Sequence, residues 1–169
     1  VENVRVLDGA LNAWTTAGHP LVTGSGDMTT TQPGTVSLSA GNEPVLNADD
    51  AAALAETGVL LDARAGERYR GEVEPIDPRA GHIPGAISAP TAGNLNDAGE
   101  FLDAETLRER YEALGASVDQ AVGVYCGSGV TAAHDALALT VAGFRPALFP
   151  GSWSAWSNQS ERPIATGEN

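Results

Sequence analysis

The sequence contains few basic and few aromatic residues. Its 169 residues include 9 Lys and Arg against 22 Asp and Glu, so the formal net charge is −13. Proteins that bind nucleic acids need clustered Lys and Arg, whereas the few cations here are scattered along the chain. We therefore exclude a nucleic-acid partner. We expect any small anionic ligand to depend on a helix N-terminus or on one well-placed Arg.

Cysteine is almost absent as well. Cys126 is the single thiol, so no disulfide can form within the chain, and no group of Cys and His has the spacing of metal ligands. We expect no metal, no cofactor and a reducing compartment, in this case the cytoplasm. Apolar runs are all shorter than the ~18 residues that a membrane span requires. The first five residues include neither an initiator Met nor a signal-peptide pattern, and we expect the chain to begin inside a longer protein.

The rest of the composition, 42 % hydrophobic and 18 % charged, is that of one globular domain with an appendage. An internal repeat identifies the appendage. Residues 6–14 align with residues 148–156, with Gly and Trp in register, and after a slip of one residue a Pro is shared too. We interpret 1–24 as the last strand and helix of a first repeat, 25–43 as a Gly/Thr-rich linker and 44–169 as a complete second repeat.

Short apolar strands alternate with helical patterns in the second repeat. Strands are predicted at 59–62, 86–89, 121–125 and 146–149, and helices at 50–56, 104–114, 131–139 and after the Gly at 151. This alternation predicts an α/β fold with a mostly parallel sheet and helices on both faces. In such sheets, ligands bind outside the carboxyl ends of the strands.

Cys126 lies at such a strand end, at the start of the loop Cys126-Gly127-Ser128-Gly129-Val130-Thr131. Backbone N–H groups of a Gly-containing loop, together with the N-terminus of the next helix, stabilise anions, so the sequence predicts a reactive thiolate. A buried structural cysteine is the more common role of a lone thiol. Packing alone, however, does not require the flanking glycines, which favour a nucleophile here.

Three kinds of nucleophile compete. Phosphatases and related anion enzymes need an Arg six residues after the cysteine, where this chain has Ala132. A protease needs a His base, and the sequence alone cannot place His19, His82 or His134 beside the thiol. A loop of backbone donors suits a covalent intermediate that carries extra negative charge, such as a persulfide.

Four segments resemble the tandem-domain rhodanese family of thiosulfate and 3-mercaptopyruvate sulfurtransferases: 60–71, 81–86, 126–132 and 149–156. They match its C-terminal catalytic domain, and residues 1–24 resemble the end of its N-terminal domain. The resemblance implies a rhodanese fold and a double displacement. A small-molecule donor passes sulfur to Cys126 as a persulfide, and a thiol or cyanide acceptor removes it. The absent N-terminal repeat would be a further partner.

The resemblance also implies roles for individual residues. Ser128 matches a serine that assists catalysis, and Arg68 matches an arginine that binds the donor carboxylate. Ile76 follows Glu74-Pro75 where the mercaptopyruvate type has a second arginine, so Arg79 is expected to substitute for it. The remaining loop residues, which we predict to bind substrate, are Gly127, Gly129, Val130 and Thr131.

Two questions stay open at this point. The loop after the cysteine resembles the mercaptopyruvate type, yet the altered arginine leaves thiosulfate as an alternative donor. The domain could also be a module that carries a persulfide for partner proteins without efficient turnover of a small donor. Asp62, Arg64 and His82 are interpreted as scaffold that ties neighbouring loops together.

Overall fold

Four short parallel strands form the sheet in the computed structural model, which describes residues 4–24, 35, 37, 41 and 43–168. The predicted linker therefore lies almost entirely outside the described residues. The strands are β1 (Val59–Asp62), β2 (Ile87–Ser88), β3 (Val122–Tyr125) and β4 (Pro146–Leu148), in the order β2-β1-β3-β4. The all-parallel pairing confirms the predicted α/β class.

Six α-helices accompany these strands in the described part of the chain. They are α1 (Ala10–Thr16), α2 (Ala48–Thr57), α3 (Gly66–Tyr69), α4 (Ala104–Ala113), α5 (Val130–Val141) and α6 (Ser152–Ser157), with a 3₁₀ helix at Thr91–Asn94. Side chains cap two of the helices. Asn47 forms a capping box with Asp50 at the start of α2, and Asp103 accepts two backbone hydrogen bonds at the start of α4.

Successive residues of the two central strands point into separate cores. Leu61 and Val124 pack with α4 and α5, whereas Leu60 and Tyr125 pack with α2 and α6. Every residue of β1 and β3 is buried, as expected for parallel strands covered on both sides. The prediction of helices on both faces of the sheet is thereby confirmed.

The first segment differs in part from its prediction. The helix is present as α1, but residues 4–7 form no strand, since no described residue pairs with them. The segment lies against the second repeat, where the Phe101 amide donates to Asp8 Oδ1 at 3.0 Å. Its assignment as the end of a first repeat stays a prediction. No helix in the described ranges is long and apolar enough to cross a membrane.

Candidate active site

Cys126 lies at the base of a pocket of about 690 Å³ at the carboxyl edge of the sheet. The walls come from the residues that follow β1, β2 and β3, together with α3 and Ser154 of α6. Only 2 % of Cys126 is exposed. The location agrees with the rule for ligand sites in parallel sheets.

Two groups approach the sulfur directly. The Gly129 amide donates a hydrogen bond to Cys126 Sγ at 3.1 Å, and Ser152 Oγ lies 4.0 Å from the same atom. Gly129 has φ of 85°, and a Cβ there would lie 2.6 Å from the carbonyl oxygen of Pro150. Only glycine fits this position, because both the backbone conformation and the close approach exclude a side chain.

Helix α6 is hydrogen-bonded to the cysteine loop. The amides of Trp153 and Ser154 donate to the carbonyl oxygens of Cys126 and Gly127, each at 2.9 Å. The Cys126 amide in turn donates to Ser152 Oγ at 3.1 Å. Helix α6 therefore fixes the loop through two of its carbonyl groups. The Gly129 amide donates to the sulfur instead.

The predicted loop residues do not all reach the pocket. Gly127, Ser128 and Thr131 line it together with Cys126. Val130 is 78 % exposed and is not part of the lining, because it begins α5 on the solvent side. Gly129 contributes its amide rather than a surface.

Arg68 stands across the pocket from the cysteine loop. The short helix α3 carries it, and the buried Tyr69 anchors that helix by donating to the carbonyl oxygen of Ala86 at 2.7 Å. Arg68 Nη1 lies 3.4 Å from the position where a Cβ on Gly127 would be. A guanidinium thus reaches the cysteine loop, where an anionic donor would have to bind.

Carboxylates restrain this arginine. Arg68 Nη2 donates to Glu74 Oε1 at 2.6 Å and lies 3.6 Å from Asp77 Oδ2. Burial alone would raise the pKa of Glu74, but hydrogen bonds from Arg68 and from the amides of Asp77 and Ile76 outweigh it and hold that pKa below its ordinary value. Glu74 is therefore a fixed anion beside Arg68 at neutral pH.

The scaffold residues connect the neighbouring loops as expected. Arg64 donates to both carboxylate oxygens of Asp62, to Glu74 and to the carbonyl oxygen of Gly81. His82 is buried, stacks on Tyr69 at 3.7 Å, and burial lowers its pKa. These contacts fix the walls of the pocket.

Arg79 does not lie in the pocket, contrary to the sequence-based expectation. Its guanidinium donates to the carbonyl oxygens of Trp156, Ser157 and Arg162, where α6 ends. Carbonyls at the end of a helix lack partners within it, so a nearby Arg satisfies them. Ile76 stands where the mercaptopyruvate type has its second arginine, and it lines the pocket itself. Arg79 therefore does not replace that arginine in the pocket.

The histidines do not supply a base to the thiol. His82 Nδ1 is hydrogen-bonded to the carbonyl oxygen of Tyr69, His134 Nδ1 to Thr91 Oγ1, and His19 stacks on Trp14. None of the three forms a hydrogen bond with Cys126 in the described structure. Among the described residues, no cluster of His, Cys, Asp and Glu could hold a metal ion.

Sequence reasoning missed two residues of the site. Ser152 binds the Cys126 amide, and its signal was its place directly after the Gly of the internal repeat. Asp77 stands beside Arg68, and its only signal was its position shortly after Glu74-Pro75.

Comparison with known proteins assigns the chain to a family. The family model described as "Rhodanese-like domain" matches residues 47–159. The chain therefore belongs to the rhodanese-like domain family, which confirms the rhodanese resemblance seen in the sequence, while the tandem arrangement stays a prediction.

Particular relatives narrow the class. The chain is 47 % identical to the "Probable 3-mercaptopyruvate sulfurtransferase" of Pseudomonas aeruginosa and 46 % identical to the "Putative thiosulfate sulfurtransferase SseB" of Mycobacterium tuberculosis. Each match covers 99 % of this chain and 59 % of the relative, so the chain spans little more than half of their length. A solved structure of EanB, described as a persulfide form with ergothioneine, superposes with a TM-score of 0.85 at 26 % identity, covering 99 % of this chain and 42 % of that one.

Proposed function

We propose that this chain is a sulfurtransferase that carries sulfur as a persulfide on Cys126. The observation that carries the proposal is a single thiol at the base of an open pocket, with the Gly129 amide 3.1 Å from its sulfur and Arg68 on the facing wall. The relatives named as sulfurtransferases support the same reaction class. The persulfide form of EanB supports the same intermediate.

The first half of the reaction loads the thiol. The Cys126 thiolate attacks the sulfur to be transferred, which is the outer sulfur of thiosulfate or the thiol sulfur of 3-mercaptopyruvate. A new S–S bond forms, and the donor's S–S or C–S bond to that sulfur breaks. Thiosulfate leaves as sulfite, which takes the electron pair. 3-Mercaptopyruvate leaves as the enolate of pyruvate, which takes a proton. The Gly129 amide is placed to bind the negative charge on Cys126 Sγ before the attack.

The second half unloads the persulfide. A thiol or cyanide acceptor attacks the outer sulfur, and the S–S bond breaks with return of the electron pair to Cys126. The cycle needs no metal and no redox cofactor, because each step exchanges one sulfur bond for another. It does need a reduced thiol at the start, which a compartment such as the cytoplasm maintains.

Intact mass spectrometry tests the proposal. Incubation with thiosulfate or 3-mercaptopyruvate should add about 32 Da, the mass of one sulfur, and dithiothreitol should remove it. Cys126→Ser should show no adduct, and since Cys126 is the only thiol, one sulfur per chain is the expected limit. A folded wild-type protein that stays unmodified with both donors would overturn the proposal.

A product-release assay separates an enzyme that turns over from a module that relays sulfur. Pyruvate or sulfite is assayed while a thiol acceptor is present in excess. Continuous release identifies an enzyme that turns over a small donor. A single stoichiometric burst identifies a module that holds sulfur for a partner protein.

A further inference from the structure

Asp77 is a buried carboxylate in the wall of the pocket that the proposed mechanism does not use. It lies in the loop between α3 and β2, and its side chain is 5 % exposed. Its Oδ2 has no hydrogen-bond partner among the described residues, although Arg68 Nη2 is 3.6 Å away. A buried carboxylate with an unsatisfied oxygen is costly, so its presence at this position calls for a reason.

The charges in this wall do not balance. The guanidiniums of Arg64 and Arg68 face three carboxylates, those of Asp62, Glu74 and Asp77. The group therefore carries one excess negative charge. The structure thus places an uncompensated anion beside the arginine that faces the cysteine loop.

Arg64 is not available to bind a ligand. It is 4 % exposed and is already bound to Asp62, Glu74 and the carbonyl oxygen of Gly81. Arg68 is 19 % exposed and directs Nη1 toward the cysteine loop. An anionic donor therefore meets one available guanidinium whose charge is shared between Glu74 and Asp77.

Such a wall distinguishes donors by charge. A donor with one carboxylate can bind Arg68 in place of the distant interaction with Asp77. A dianion brings a second negative charge into the same few ångströms, where low polarity weakens screening. The penalty for that second charge grows with each carboxylate that has no cation of its own.

We infer that Asp77 determines donor specificity by charge, so that a monoanionic keto-thiol such as 3-mercaptopyruvate is accepted and dianionic thiosulfate is disfavoured. The inference rests on the proposed sulfurtransferase function and adds the donor class. Asp77 acts through the field at Arg68 and need not touch the donor. Its effect is therefore expected to be larger with thiosulfate than with 3-mercaptopyruvate, so the ratio of the two kcat/KM values changes.

The test compares Asp77→Asn with wild type in both donors at the same ionic strength. Removal of one charge at this distance should raise the thiosulfate to 3-mercaptopyruvate ratio of kcat/KM about tenfold. Raising the salt concentration should bring the wild-type kcat/KM values for the two donors closer together. Glu72→Gln, in the same loop but exposed and paired with Arg70, is the matched control and should leave the ratio unchanged.

A charge-conserving variant guards against a packing defect at position 77. Asp77→Glu keeps the negative charge but alters the packing, so it should keep the wild-type ratio of kcat/KM for thiosulfate over 3-mercaptopyruvate. Wild type itself gives a measurement that needs no variant, because this ratio should rise with ionic strength. A ratio that is unchanged in Asp77→Asn, or raised equally in Asp77→Asn and Asp77→Glu, would overturn the inference and leave the sulfurtransferase proposal intact. Failure of wild type to form the sulfur adduct with both thiosulfate and 3-mercaptopyruvate would overturn the inference and the sulfurtransferase proposal together.

Discussion

Helices α1 and α6 share one unusual feature where they begin, although the preceding glycines differ, with φ of 72° at Gly9 and −62° at Gly151. Each follows a glycine, Gly9 or Gly151, and in each the next residue has positive φ, 48° at Ala10 and 53° at Ser152. These are the two non-glycine residues with positive φ in the described ranges. Such a conformation is rare outside glycine, so its occurrence at matching positions supports the repeat found in the sequence.

The tryptophans of the two helices also form matching hydrogen bonds. Trp14 Nε1 donates to the carbonyl oxygen of Pro20 at 3.1 Å, and Trp156 Nε1 donates to that of Pro163 at 2.9 Å. The spacing is six residues in the first case and seven in the second. The slip of one residue seen in the alignment therefore lies between the helix and its proline.

The surroundings of the two helices are different. Trp156 is 1 % exposed and packs between the sheet and α2, whereas Trp14 is 40 % exposed and α1 has no buried residue. The local sequence thus determines a similar helix start in the two segments. Trp156 owes its burial to the sheet, whereas residues 4–7 before α1 form no strand with any described residue.

The largest expected effect is on activity, and it follows from adding a first repeat whose sheet would pack on α1. We predict that a longer protein, with a first rhodanese repeat before Val1, exceeds the 169-residue chain in kcat/KM by about 10²–10⁴-fold. The added repeat would cover α1 and supply groups to the open side of the pocket. Steady-state kinetics of both proteins with both donors measure the difference, and equal values would show that Cys126 and its own loop suffice.

The two tryptophans should differ strongly in their contribution to stability. Trp156→Ala removes a buried ring and should lower the free energy of unfolding by about 3–5 kcal/mol. Trp14→Ala, its matched control, should cost less than about 1 kcal/mol because the ring is partly in solvent. Urea unfolding at constant pH gives both values. Similar losses would mean that α1 is packed as firmly as α6.

The surfaces on which α1 and α6 lie differ in one buried charge, and this predicts a pH effect. Helix α6 packs on the apolar face of α2 formed by Ala51 and Leu54, whereas the first segment lies near α5, which contains the buried Asp135. Burial is the main cause that raises the pKa of Asp135 from 3.8 to about 6, against hydrogen bonds and Arg110, which lower it. The folded state therefore binds this proton more tightly than the unfolded state does.

It follows that Asp135 stabilises the fold fully below pH 3.8 and that this contribution is lost as the pH rises through 6. The stability lost between low pH and neutral pH amounts to about 3 kcal/mol. Asp135→Asn should therefore be more stable than wild type at pH 7.5 and similar at pH 4. Urea unfolding across this range is the measurement, with the exposed Glu109→Gln as control. A constant difference between Asp135→Asn and wild type at all pH values would contradict the assignment.

The smallest effect concerns the first residue of each helix. Ser152→Ala leaves the buried Cys126 amide without its acceptor and should cost about 1–3 kcal/mol. Ala10 shows that Ala tolerates this backbone conformation, so the loss would report the hydroxyl alone. Ala10→Ser should leave both stability and sulfur loading unchanged. If Ser152→Ala were equally silent, the hydroxyl would not support the cysteine loop.

Much of the fold could be predicted because buried parallel strands are continuous apolar runs. The prediction for 59–62 matches β1, and those for 121–125 and 146–149 differ from β3 and β4 by one residue at an end. The predicted strand at 86–89 is reduced to the two residues of β2. Helix α3 was missed because four residues are too few to show a period.

The parts of the site that depend on residue type and order along the chain could be predicted. Cys126 and its glycines follow a strand, and a strand end has a defined place in this fold. Arg79 was misplaced because its partners are backbone carbonyls, which have no signature in sequence. Asp77 was missed because the charge balance of a wall depends on which side chains meet in space.

The cation at Arg79 also has a consequence for where the domain can be cut. The segment after α6 has little regular structure, yet its residues Gln159, Ser160 and Arg162 supply carbonyl oxygens to this guanidinium. A further tie is the backbone pairing of His82 with Ala165. The loop between α3 and β2 is thus fastened to the end of the chain.

Trimming the C-terminal segment, by a protease or by design, would therefore act at a distance. Loss of the residues after α6 would remove acceptors from a partly buried cation and free the loop that positions Glu74. The shortest version of this domain that keeps a shaped pocket consequently extends well past its last helix.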